Sequence, residues 1–181
     1  MHHALKLYSR YREKVLYFYL FGAQCTRIPL FGRLARWIAN TWGKSMENAY
    51  VLTTDEACRI VDISEQLYLG PCTCRQVFHN CDNPVMAEIM IGFHHNAFVD
   101  ERPEDYRKLD KEEAKEVLRD CHERGLVHTI IKCRNDFFAI CNCCTCCCVP
   151  LRLHNDYGIG NALVRDKDIV ERFRQAKTLH V

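Results

Sequence analysis

Cys141-Asn142-Cys143-Cys144-Thr145-Cys146-Cys147-Cys148 places six cysteines in eight residues, a density that packing does not explain. Free cysteine behaves as a small buried hydrophobe, and a core takes it singly. Six crowded thiols oxidise or cross-link unless something binds them, and the binder that suits thiolates is a thiophilic metal or an iron–sulfur cluster. A sparser group lies upstream: Cys72, Cys74 and Cys81, in Pro71-Cys72-Thr73-Cys74-Arg75 and Asn80-Cys81. The fold is expected to bring the two groups together around inorganic iron and sulfide.

In extended backbone successive side chains point to opposite faces, so Cys146, Cys147 and Cys148 do not all reach one metal centre easily. Cys141 and Cys143 share one parity, and Cys144, Cys146 and Cys148 share the other. A run this dense suits a chain that passes between two centres and gives ligands to each. The nine cysteines of the two groups exceed what two four-cysteine cubanes require. The preferred reading is two [4Fe–4S] clusters, or one cluster larger than a cubane. One cubane with spare thiols comes next. Structural zinc follows, because its C-x-x-C spacing occurs here only inside the crowded run, as Cys141 with Cys144 or Cys143 with Cys146. A purely structural thiol cluster stands last. The ferredoxin ending Cys-Pro is absent, since Val149 separates Cys148 from Pro150.

The 181 residues contain thirteen cysteines. An odd number with so many adjacent pairs suits a disulfide framework poorly. The apolar run Val15 to Phe21 is at the short end for an export signal and too short to span a bilayer. These features place the chain in a reducing cytoplasm, with a membrane-peripheral position left open. Net charge is +2, but unevenly spread: residues 1–45 hold eight Lys or Arg against Glu13 alone. The sequence therefore divides into a basic amphipathic helical arm over 1–48 and an iron–sulfur cluster-binding domain over 49–181. The arm invites docking on a membrane surface or a partner protein through residues 1–45.

Within the body, Thr53 and Glu56 predict a capping box for a helix over 54–69, stopped by Gly70-Pro71. Asn83-Pro84 predicts a helix start, with Val85, Met86, Ile89, Met90 and Phe93 as its buried stripe. Asp110 and Glu113 cap a further helix that ends before Gly125, and residues 126–132 and 137–140 read as a hairpin. Residues 168–177 read as a terminal helix. The expected class is α+β, mainly helical, with a small β-hairpin in a winged-helix-like unit beside the cysteine-rich loop. Arg75, Lys132, Arg134 and Arg152 adjoin the cysteines in sequence and can offset thiolate charge or solvate the surface. His79, His94 and His95 are the best candidates for a non-cysteine ligand or proton donor; His128 and His154 rank below them. Cys25, Cys58, Cys121 and Cys133 stand apart, and the helical patterns assign Cys58 and Cys121 to the core.

Gly70-Pro71-Cys72-Thr73-Cys74-Arg75, Cys81, Lys111-Glu112-Glu113-Ala114, Gly125-Leu126-Val127-His128 and the run from Ile140 to Cys148 resemble a family of uncharacterised ferredoxin-like, 4Fe–4S binding proteins of anaerobic bacteria and archaea. The resemblance covers roughly residues 50–165. It implies iron–sulfur ligation by Cys72, Cys74, Cys81, Cys141, Cys143, Cys144, Cys146, Cys147 and Cys148. Relatives of this type continue into a two-cluster ferredoxin domain after the position of Ala162, whereas this chain ends at Val181, so an external redox partner protein is expected. Three functions compete: electron transfer, a reductase-type enzyme with an open iron site, and a redox- or iron-sensing regulator. The charges on the helix around 111–123 are matched in sign, which argues against nucleic acid. Self-association stays open. No nucleotide-binding or serine-nucleophile motif is present.

Overall fold

The protein is described by a computed structural model over residues 2–45, 47–92, 97–133 and 136–178. Two helices, α1 (His2–Gln24) and α2 (Gly32–Ser45), precede strand β1 (Glu47–Val51). Then follow α3 (Thr54–Ile63), β2 (Gln66–Pro71), α4 (Thr73–Phe78), β3 (Met86–Gly92), α5 (Ala97–Glu101) and β4 (Arg107–Lys108). The chain closes with α6 (Lys111–Glu123), β5 (Val127–Cys133), β6 (Asp136–Cys143), α7 (Val149–Tyr157), β7 (Leu163–Arg165) and α8 (Ile169–Thr178).

The strands form one mixed sheet of seven in the order β4-β2-β3-β6-β5-β1-β7. The β1–β7 pair is parallel, and every other neighbouring pair is antiparallel. Helices cover both faces. Ile89, Ile140 and Ile130 lie in register across β3, β6 and β5 and are fully buried against α3, α6 and α8. The intervening Met90 and Ala139 face the other way, toward Phe98 of α5. Burial of each such side chain is worth about 1.5–3 kcal/mol, so the centre of the sheet is the rigid part of the molecule. The cysteine-rich run leaves its central strand, β6.

The α+β class agrees with the sequence, and the predicted hairpin is β5–β6. Its strands are not a small appended unit, however: they are the middle of the seven-stranded sheet. Covered on both faces, they cannot act as the free wing of a winged helix. Two predicted helices also change type. The capping box at Thr53 and Glu56 is present, but α3 stops at Ile63 and residues 66–71 form β2. There Leu67 and Leu69 point into one core while Tyr68 packs on the opposite side. Residues 86–92 form β3 instead of a helix. A short apolar run buried on both faces carries no periodicity that separates strand from helix. The capping box at Asp110 and Glu113, the left-handed Gly125 (φ 73°) and the terminal helix follow expectation.

The expected arm corresponds to α1 and α2, joined to the body through specific contacts. Leu16, Leu20 and Ala23 of α1 pack with Val149 and Tyr157 of α7. Buried Arg12 donates to the Tyr106 hydroxyl at 2.6 Å, and Arg102 pairs with Glu13 at 2.7 Å. Tyr106 in turn needs Gly70, since a Cβ there would stand 2.2 Å from its ring.

Candidate metal centre

Strand β2 delivers its chain end directly into Cys72, which caps α4 with extended backbone. The Cys72 amide donates to the Val85 carbonyl at 2.7 Å, which fixes this turn to the entry of β3. After six helical residues, His79 takes a left-handed conformation (φ 47°) and reverses the chain toward Cys81. On the other side, β6 ends at Cys143, a turn covers Thr145 to Cys147, and Cys148 caps α7 with Pro150 in its first turn. A single hydrogen bond from the Cys148 amide to the Cys144 carbonyl (3.1 Å) closes that turn. Asn80 stitches the two segments together by donating to the Cys146 carbonyl at 3.0 Å.

Four of the nine predicted cysteines converge on one point, and the other five lie beside them as a looser second group that does not close on a common point. Cys81, Cys144, Cys146 and Cys147 have Sγ atoms all within 4.8 Å of one another. Cys81 is 3.7 Å from Cys144 and 3.8 Å from Cys147. Four convergent thiols at this spacing can hold a metal. In the second group, Cys143 and Cys148 are buried together with Cys141 packed against them, and Cys74 also packs against Cys144 and Cys147 of the first. Cys72 lies within electrostatic reach of Cys74 and Cys143. Parity explains part of this sorting: Cys141 and Cys143 share a sheet face, and Cys144 turns to the other group. Cys148 departs from the parity expectation, because the turn at Thr145 returns it to the side of Cys143.

Buried Arg75 lies between the groups. Its guanidinium donates to the carbonyls of Pro84 and Asn142 and faces Cys72, Cys144 and Cys143. A buried cation without an opposite charge is costly, and Arg75 is one of the groups that favour the thiolate form of Cys143. Of the other basic residues expected near the cysteines, Lys132 lies over the Phe137 ring and Arg152 over the Phe78 ring. Arg134, His94 and His95 lie outside the described residues. His79 serves as the cap of α4, and His128 is buried with Nδ1 2.6 Å from the Asn142 side-chain oxygen. His154 lies 3.3 Å from the Gly160 carbonyl. Cys58 packs against the main core, buried Cys121 sits beside Cys144 and Cys147, and Cys25 is exposed.

Comparison with protein families, curated proteins and solved structures finds no match to this chain. The chemistry of the centre therefore rests on its own residues.

Their proton affinities differ in an ordered way. Burial raises the Cys81 thiol, but hydrogen bonds from the Asn83 backbone and side chain, with those from Cys146 and Cys144, outweigh it and lower the pKa to about 6. Its neighbours move up, Cys146 to about 11 and Cys147 to about 12, chiefly through burial and the adjacent thiols. In the second group Cys143 is held well below its ordinary value by donation from Cys141 and Cys148, with Thr129 and Arg75 adding to this. Cys141 and Cys148 are raised correspondingly. The thiolate form is thus favoured at Cys81 and Cys143 and disfavoured at Cys146, Cys147, Cys141 and Cys148. A metal entering the four-cysteine group must expel the protons its thiols still carry.

Glu88 is the residue that the cysteine pattern alone misses. It is half-buried on β3, and its Oε1 accepts from Cys141 Sγ at 3.3 Å. Its Oε2 has no hydrogen-bond partner among the described residues, and burial raises its pKa. A lone carboxylate in the apolar run from Met86 to Gly92 was the available signal. Asn80, Asn83 and Thr129, whose hydroxyl lies 3.4 Å from Cys143 Sγ, carry no such mark in the sequence.

Proposed function

We propose that the protein is an iron–sulfur protein that moves electrons between a donor and a redox partner protein. Cys81, Cys144, Cys146 and Cys147 would hold one cluster, and Cys72, Cys74, Cys141, Cys143 and Cys148 a second. The observation that carries this reading is the convergence of four thiols from segments more than sixty residues apart, with five further cysteines beside them. Thiols converging at metal-ligand spacing suit an inorganic core better than a wholly structural cluster. The likeness of the cysteine motifs to 4Fe–4S binding proteins supports the choice of iron. Arg75 would offset the negative charge of the thiolate-bound clusters, and the Asn83 donor to Cys81 Sγ (3.5 Å) would tune the potential of the first.

The Sγ separations favour a second reading for the four-cysteine group. Metal–sulfur bonds of about 2.3 Å around one tetrahedral ion put the sulfurs about 3.8 Å apart, close to the distances seen here. A cubane spreads its four thiolates further, so the group would have to open on loading. The reductase alternative draws on the second group, which has a surplus thiol and the unpartnered Glu88 oxygen; it predicts a spectral change when a small ligand is added.

Anaerobic purification, with iron, sulfide and zinc measured per chain and EPR of the reduced protein, separates these readings. About eight irons with matching sulfide support two cubanes. A single zinc or iron without sulfide supports the tetrahedral ion. A colourless, metal-free protein made without air removes both.

A further inference from the structure

The segment joining α1 to α2 points its apolar residues into solvent. Leu30 is 96% exposed, Phe31 66% and Ile28 49%. Leu30 also takes a left-handed conformation (φ 71°), which costs a residue with a Cβ and recurs at functional sites. The loop is held in this shape. The Gly32 amide donates to the Ile28 carbonyl at 2.8 Å, and a Cβ on Gly32 would stand 2.2 Å from the Thr26 carbonyl oxygen. A strained, fixed apolar tip without cover among the described residues is built to meet something else. Leu34, Trp37 and Ile38 extend the exposed apolar surface down α2.

Behind the tip lies an open cup of about 940 Å³ lined by Arg27, Arg33 and Arg36. Arg27 lies 4.5 Å over the Tyr157 ring, and Arg36 donates to the Thr26 carbonyl at 3.0 Å. The one acid in the lining, Asp156, is within 3.9 Å of Arg152. Three guanidinium groups around a cavity beside an apolar projection match the two layers of an anionic bilayer, phosphates outside and acyl chains within. Charge over the whole chain agrees. Residues 1–45 carry a strong excess of basic residues and the remainder a net negative charge, which orients this end toward an anionic surface. No helix among the described residues is long and apolar enough to cross a membrane.

We propose that the α1–α2 end docks the protein on the surface of an anionic phospholipid bilayer. Leu30 and Phe31 enter the acyl layer, and Arg27 and Arg33 contact lipid phosphates. A nucleic acid would match the arginines but give no reward for burying Leu30 and Phe31. A protein partner with an apolar groove is the remaining alternative, and it predicts no response to lipid.

Both tryptophans of the chain lie on α2; Trp37 belongs to the exposed apolar surface and Trp42 packs toward Tyr19, so a change in emission on binding is read chiefly from Trp37. The test adds the full chain to phosphatidylcholine vesicles with and without phosphatidylglycerol, and reads tryptophan emission and co-flotation. A blue shift and flotation with the anionic vesicles only is the expected result. The double substitution Leu30→Ser and Phe31→Ser abolishes both signals, and Arg27→Gln and Arg33→Gln each weaken binding about fivefold. Absence of binding, equal binding to neutral vesicles, or wild-type binding by the serine variant overturns the proposal. If circular dichroism shows the serine variant misfolded, the Arg27→Gln variant decides by the same criterion. The readout is independent of metal content, so it stands or falls apart from the iron–sulfur assignment.

Discussion

The guanidinium of Arg75 donates a hydrogen bond to the backbone carbonyl of Asn142, and this contact ties the two cysteine-bearing segments to each other. Arg75 is 1% exposed and also donates to the Pro84 carbonyl. Arg75→Met leaves both carbonyls buried without a donor and removes the positive charge facing the thiols. Each unsatisfied carbonyl costs about 1–3 kcal/mol, so urea unfolding should show a loss of about 2–5 kcal/mol together with reduced metal content. Arg75→Lys keeps the charge but not the forked geometry, and its metal content should lie between that of the wild type and Arg75→Met.

The proposal of two centres makes a specific prediction for single cysteines. Cys146→Ala should empty the group around Cys81 and leave the metal of the other group in place. Cys143→Ala should do the reverse. Metal analysis and EPR of the two variants should each show about half of the wild-type signal. Complete loss in both would mean that the nine thiols serve one centre.

Cys81 supplies a pH signature. In the metal-free protein its lowered pKa of about 6 makes it a thiolate at neutral pH, and the thiolate is the reactive form. Alkylation by iodoacetamide, mapped by mass spectrometry, should be fast at Cys81 above pH 6 and fall as the pH drops below that value. Cys121, raised to about 11 by burial, should stay unmodified throughout. Loading with metal should protect Cys81, and equal labelling with and without metal would exclude it as a ligand.

Glu13 and Arg102 connect α1 to the segment after α5. The hydrogen bond from Arg102 holds the Glu13 carboxyl below its ordinary 4.5. A depressed folded pKa means that the unfolded chain binds the proton first, so the contribution is complete above 4.5 and is lost as pH falls through the folded value. Both side chains are partly exposed, 38% and 28%, which limits the pair to at most about 1 kcal/mol. The difference in urea midpoint between wild type and Arg102→Ala should therefore be small, constant at neutral pH, and shrink in acid.

The parts of the fold that were legible in the sequence carry local chemistry of their own. Thr53 with Glu56 and Asp110 with Glu113 mark helix starts through reciprocal hydrogen bonds within four residues, and both occur. Gly125 marks a stop through its positive φ. Residues 66–71 and 86–92 were misread because what decides them is distant: Leu69 and Ile89 become strand residues by pairing with each other. The convergence of Cys81 with Cys144 could be anticipated from thiol chemistry. Which other cysteines join them could not, because that depends on the turn at Thr145 and on Arg75 crossing from α4 to β6. Glu88 was hidden for the same reason, as its meaning comes from Cys141 one strand away.

At its two rims the sheet ends in β4, two residues long, and β7, three residues long. Each carries an arginine, Arg107 or Arg165. So little open backbone, with charge beside it, gives a neighbouring molecule almost no template on which to extend a strand. A cell can therefore accumulate this thiol-laden chain with little risk of it growing into fibrils from its edges.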